Sequence, residues 1–169
     1  MIKWLKTAVA LLLVFFLVNY IYSGFALGNT TGFSIMSVDQ NYYLGYGLHW
    51  RGLIKPKLIN VRLRNEDGSL IDQFSDQVEV TPLIDVRKGT GAFGEETFLE
   101  LTNQGKIEYV PLKEAVLERN NSALLVLRVR IHDEQYENTV EAMVVDYRIF
   151  GIPKRQSIKY KGFLWTDER

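Results

Sequence analysis

The residues in this chain best suited to chemistry are few and scattered. Gly89-Thr90-Gly91-Ala92-Phe93-Gly94 spells GxGxxG, the pattern whose glycines let a backbone approach a pyrophosphate at a helix N-terminus. That chemistry needs a strand before the motif and a helix after it. TPLIDV supplies the strand, but Glu95-Glu96-Thr97-Phe98-Leu99-Glu100 reads as a short strand with an acidic pair where phosphate would lie. The expectation is a flexible strand connection that can serve as a contact loop, without nucleotide.

His49 and His132 are the only histidines, and alternation puts each on the outward face of a separate strand. Zinc needs further ligands converging on both, which the spacing does not supply. The paired carboxylates Glu95-Glu96 and Asp133-Glu134 are sequence neighbours, whereas glycosidase chemistry needs two carboxylates facing across a cleft. No serine stands in a G-x-S-x-G elbow. The chain has no cysteine, which removes disulfides, thiolate catalysis and thiolate zinc sites together. No catalytic, cofactor-binding or metal residue is assigned, and the expectation is a non-enzyme without cofactors. The alternative is an enzyme whose site assembles from residues distant in sequence.

Three further groups suit recognition. Tyr42, Tyr43, Tyr46 and Trp50 would form a carbohydrate or peptide platform if exposed, and Tyr43 shares the face of Gly45 and Gly47, where a shallow groove is expected. Lys154, Arg155, Lys159 and Lys161 form a modest basic patch suited to a solvated strand face, or to anionic lipid or wall polymer. Asn29-Thr30-Thr31 and Asn120-Asn121-Ser122 match glycosylation acceptors, relevant only in a eukaryotic secretory pathway.

The elements that must position these residues begin with a leader. Lys3 and Lys6 precede an uncharged run from Thr7 to Leu27, long enough to cross a bilayer core of about 30 Å as a helix. The lysines place the N-terminus in the cytoplasm and the remainder outside. Two readings follow. An uncleaved anchor uses the whole run, with Tyr20 and Tyr22 at the outer interface. A cleaved signal peptide uses Gly24-Phe25-Ala26 as its small-x-small site and releases a secreted chain after Ala26. The aromatic NYIYSGFA segment favours the anchor. The expected organisation is therefore a transmembrane signal-anchor over 1–27, a short tether over 28–32 and an extracytoplasmic domain over 33–169.

With the two leader lysines set aside, 18 of the 20 basic residues remain against 20 acidic ones. That balance lacks the concentrated positive face that nucleic acid requires. Period-two alternation recurs along the domain. Leu44, Tyr46, Leu48 and Trp50 share a face, as do Ile59, Val61 and Leu63. So do Leu125, Leu127, Val129 and Ile131, and again Met143, Val145, Tyr147 and Ile149. Asp67-Gly68 marks a hairpin turn, and Pro82 marks an edge or bulge in the run from Val78 to Val86. KIEYVP and ETFLELT read as shorter strands. Gly151-Ile152-Pro153 reads as a turn before a final strand, SIKYKGFLW, that closes a hairpin. Pro111 to Arg119 breaks the alternation and reads as one short helix.

About nine short strands with one short helix describe an all-β, immunoglobulin-like β-sandwich, with a small β-barrel as the alternative. The functional expectation is a membrane-anchored binding module, with the bilayer contacted through residues 7–27 and another envelope protein or polymer as its partner.

Overall fold

The computed structural model describes residues 2–28, 32–33, 36–71, 76–115, 117 and 122–163. The chain is mostly β, in two antiparallel sheets with two helices. Helix α1 (Ile2–Tyr22) is followed by β1 (Gly24–Leu27), β2 (Asn41–Arg51), β3 (Lys57–Asn65), β4 (Leu70–Ile71) and β5 (Val78–Asp85). Then come β6 (Ala92–Gly94), α2 (Glu95–Asn103), β7 (Tyr109–Pro111), β8 (Ser122–Ile131), β9 (Val140–Ile149) and β10 (Ile152–Lys159).

One sheet has the order β1-β2-β8-β5-β7, with β6 pairing β2; the other has the order β10-β9-β3-β4. The alternating residues decide which faces meet. Leu44, Tyr46, Leu48 and Trp50 of β2 and Leu125, Leu127 and Val129 of β8 share one core with Met143, Val145, Tyr147 and Ile149 of β9. Burying one face of each long strand fixes the register, because a one-residue slip would turn that whole set toward water. Strands β1 and β6 pair β2 on the edge away from β8, β1 with Leu48–Arg51 and β6 with Tyr42–Leu44. Pro82 sits where β5 has β8 on one side and no β7 partner on the other, since β7 pairs only Leu83–Asp85.

Several local expectations are corrected. The apolar helix ends at Tyr22, short of Leu27, and Gly24–Leu27 pairs with β2 as a strand. Gly28 continues that pairing by donating its N–H to the Gly47 carbonyl, so the expected 28–32 tether starts inside the sheet; residues 29–31 lie outside the described residues. The short helix falls at Glu95–Asn103, where a strand was expected. Glu95 and Glu96 suit its first turn, and Gly105, at φ 65°, ends the segment. The helix expected over 111–119 is a single 3-10 turn, Leu112–Glu114, after which Ala115 is already extended; Val116 and residues 118–119 lie outside the described residues. The last hairpin turns at Phe150-Gly151, and β10 begins at Ile152 in place of Ser157.

Candidate functional site

The most constructed feature of the molecule is the junction between α1 and the sheets. Phe25 of β1 is 3% exposed and packs against Trp50 at 4.9 Å and edge-on to Tyr147 at 5.2 Å. The Gln156 side chain on β10 accepts from the Phe25 N–H at 2.7 Å and donates to the Phe25 carbonyl at 2.7 Å. This one amide joins the edge of the first sheet to the edge of the second. It satisfies backbone groups that would otherwise lie open on an edge strand.

Two residues earlier on β10, Lys154 reaches the C-terminal end of α1. Its ammonium donates to the carbonyls of Tyr20 and, at 2.9 Å, Ser23, and lies 4.9 Å from the centre of the Tyr20 ring. A cation there neutralises carbonyls that have no helical partner and opposes the helix dipole. Burial holds the Lys154 amine below its ordinary pKa, and burial pushes the neighbouring Tyr147 phenol up to about 12. The Ser23 hydroxyl donates to Tyr20 O at 3.2 Å, completing the cap. On the opposite side, Phe15, Val18, Asn19 and Tyr22 of α1 face Arg51, Gly52 and Leu53 across a cleft of about 430 Å³.

The residues singled out by sequence go elsewhere. The GxGxxG segment is followed by a helix after all, but its last three residues are strand β6, and its first half folds over a buried carboxylate. Asp85, 1% exposed, accepts from the N–H groups of Arg87, Thr90 and Glu108 and from the Thr90 hydroxyl, at 2.8 to 3.2 Å. A Cβ on Gly89 would meet Lys106 O, and one on Gly45 would meet Thr90 O, each at 2.3 Å. Those glycines let backbone lie on backbone, so the segment is a fitted cover over β2 where a flexible loop was expected.

That cover also fills the expected groove beside Tyr43, whose ring is stacked on Phe98 of α2 at 4.3 Å and lies beside Tyr109 at 5.8 Å. Tyr42, Tyr43, Tyr46 and Trp50 are all buried, so they form no open platform. His49 and His132 lie toward opposite ends of the first sheet. His49 pairs with Ser122 at the start of β8, and His132 follows Ile131 at its end and bonds Asp39 at 3.0 Å. Among the described residues, no three His, Asp or Glu side chains gather in a metal-binding arrangement. Glu95 accepts from Asn41 at 2.8 Å and Glu96 is exposed, while Asp133 accepts from the N–H of Gln135 within its own turn.

The basic patch divides by strand parity. Lys154 turns to α1, Arg155 pairs with Asp146 at 2.6 Å, and Lys159 and Lys161 are exposed. Both glycosylation motifs include residues outside the described ones, 29–31 and 120–121. The sequence reading missed Lys154 as a cap and Phe25 as core. The only available signal was that Lys154, Gln156 and Ile158 share one phase of a strand.

No protein-family model matches the chain, and neither a curated protein nor a solved structure shows significant similarity to it.

Proposed function

We propose that this chain is a membrane-anchored extracytoplasmic module that works by binding another envelope component, without catalysis, on an immunoglobulin-like sandwich. The observation that carries the reading is the burial of Phe25. Cleavage after Ala26 would divide β1 and remove Phe25 from its contacts with Trp50 and Tyr147, together with the helix end that Lys154 caps. A signal peptide is discarded without cost to the mature fold, whereas loss of this segment would strip core contacts from the domain, which supports the anchor. Helix α1 is apolar over Trp4–Tyr22 and touches the domain only toward its outer end, through residues such as Phe16 and Tyr20, with no residue of the stretch fully buried, which suits lipid as the surroundings of the rest. Lys6 before the apolar run directs the N-terminus to the cytoplasm. The sandwich is favoured over a barrel because the sheet edges meet at Gln156 through a side chain, where a barrel would carry a continuous ladder.

The test is in-cell cross-linking of the C-terminally tagged chain, with membrane and medium recovered separately and read by intact mass. The reading expects a discrete adduct in the membrane fraction, on a chain that retains the segment through Ala26. Bare protein in the medium, lighter by those residues, would overturn it.

A further inference from the structure

We propose that the anchored end of the β domain is itself a membrane-docking surface, with Leu53, Phe150 and Ile152 seated in the outer leaflet beside α1. This rests on the anchored reading above and adds a second attachment to it. Among the described residues outside α1, the exposed large apolar side chains are Leu53, Leu70, Val86, Leu99, Phe150 and Ile152. Leu53, at 74%, Phe150, at 49%, and Ile152, at 53%, belong to the β2–β3 loop and the β9–β10 hairpin, which flank the end of α1.

Their depth follows from the helix. The Phe150 ring meets Phe16 edge-on at 4.9 Å. Phe16 lies six residues before Tyr22, so the contact sits about 9 Å down the helix from its outer end. Leu53 borders the cleft whose helix wall runs from Phe15 through Val18 and Asn19 to Tyr22. A helix that crosses the bilayer therefore carries both loops below its own outer end.

The helix is also short for the task. Between Lys6 and its end at Tyr22, α1 offers about 24 Å of uncharged length against a hydrocarbon core of about 30 Å. A shortfall of that kind brings the apolar groups beside the last turns of the helix into the interface, and the two loops are such groups.

The hairpin tip adds an independent sign. Phe150 has φ 54° and Gly151 φ 79°, the paired positive angles of a two-residue turn that favours Asn-Gly or Asp-Gly. A bulky aromatic there is strained, and folding alone gives no reason to prefer it over Asn. Seating the ring in lipid against Phe16 gives one. Arg51, Lys57 and Arg148 border the same loops, with Lys57 and Arg148 cross-strand partners, and so match anionic headgroups above the inserted tips.

The absence of native cysteine makes the test clean. Full-length chain in nanodiscs of mixed phosphatidylcholine and phosphatidylglycerol would carry a single fluorophore at Leu53→Cys, Phe150→Cys, Val14→Cys or Glu66→Cys. Val14 lies within α1, and Glu66 in the turn at the far end of β3. Labels at 53 and 150 should lose quenching by aqueous iodide and gain quenching by spin-labelled lipid, matching 14 and opposing 66. In addition, Phe150→Asn with Leu53→Ser, which suits the turn and preserves folding, should restore iodide quenching to a label at Ile152→Cys. Labels at 53 and 150 that behave like 66 while 14 stays protected would overturn the docking surface and leave the anchor standing. A label at 14 that is quenched by iodide would overturn both.

Discussion

Phe25→Ala separates a leader that merely delivers the domain from one that is part of it. Phe25 is 3% exposed and its ring is held between Trp50 and Tyr147, so truncation opens a cavity lined by rigid aromatics that cannot collapse. Buried Phe→Ala changes cost about 3–5 kcal/mol, including the lost edge-to-face pairing. For a domain of this size, each kcal/mol lowers Tm by roughly 2–4 °C, so the expected drop is about 12 °C. The assay is a far-UV circular dichroism melt of the full chain in nanodiscs, in which the strand signal reports the domain. Ile21→Ala is the control, because Ile21 is exposed on α1 and faces lipid on the anchored reading. A Phe25→Ala melt within about 2 °C of the parent, a shift worth under 1 kcal/mol, would refute the claim that the segment before Ala26 belongs to the core.

Gly45→Ala should cost about 1–3 kcal/mol in a denaturant melt, since its Cβ would lie 2.3 Å from Thr90 O, whereas Gly91→Ala meets open space and should change little. Asp85→Asn should cost about 2–3 kcal/mol, because a carboxylate accepting from three backbone N–H groups and a hydroxyl is replaced by an amide that can only partly accept; limited proteolysis should then cut near Arg87 and Lys88. Burial raises the phenols of Tyr109, Tyr136 and Tyr147 to about 12 and holds that of Tyr160 well above its ordinary value. The folded state then holds more protons than the unfolded one above pH 10, so this stabilisation is intact below pH 10 and is lost as pH rises toward 12. Phenolate absorbance should show these tyrosines ionising late, together with loss of the strand signal.

What the sequence exposed was whatever a buried face forces into alternation. The long strands β2, β8 and β9 each present one apolar face to the common core, and their period of two is unmistakable; in β3 the expected face holds for Val61 and Leu63, but a bulge between Leu58 and Asn60 puts Leu58 in the core in place of Ile59. β1 was hidden because GFAL continues an uncharged run, and hydropathy does not distinguish the last turn of a membrane helix from a buried strand. Helix α2 was misread because Phe98, Leu99 and Leu101 suit either period at that length. Its conformation is decided by Gly94 and Gly105 at its ends and by Phe98 lying on Tyr43, a contact 55 residues apart in the chain. The segment after Pro111 had a helical start but only one turn of substance. The junction was least legible of all. Lys154 lies 134 residues from the carbonyl of Tyr20, and a lysine on a strand reads as solvated surface until its partner is known.

A domain held in this way is oriented, and orientation restricts what it can reach. Gln156, Lys154 and Phe25 join the end of α1 to both sheets with only Ser23 between helix and strand, which removes the swivel that a Gly-Asn-Thr tether would have given. On the anchored reading, β2 runs toward the bilayer and ends there at Arg51, and ten steps of about 3.3 Å set Asn41 about 33 Å back along the strand. The turn at Asp39 stands at that far end, where its carboxylate bonds the His132 ring at 3.0 Å and Arg130 at 3.3 Å. The His132 hydrogen bond, aided by the Arg130 charge, holds the Asp39 carboxyl below its ordinary pKa, so the group stays charged. A tethered domain would offer every face to a partner. On the anchored reading, a clamped one offers a partner this charged outer end and the flanks, with its base turned to the membrane.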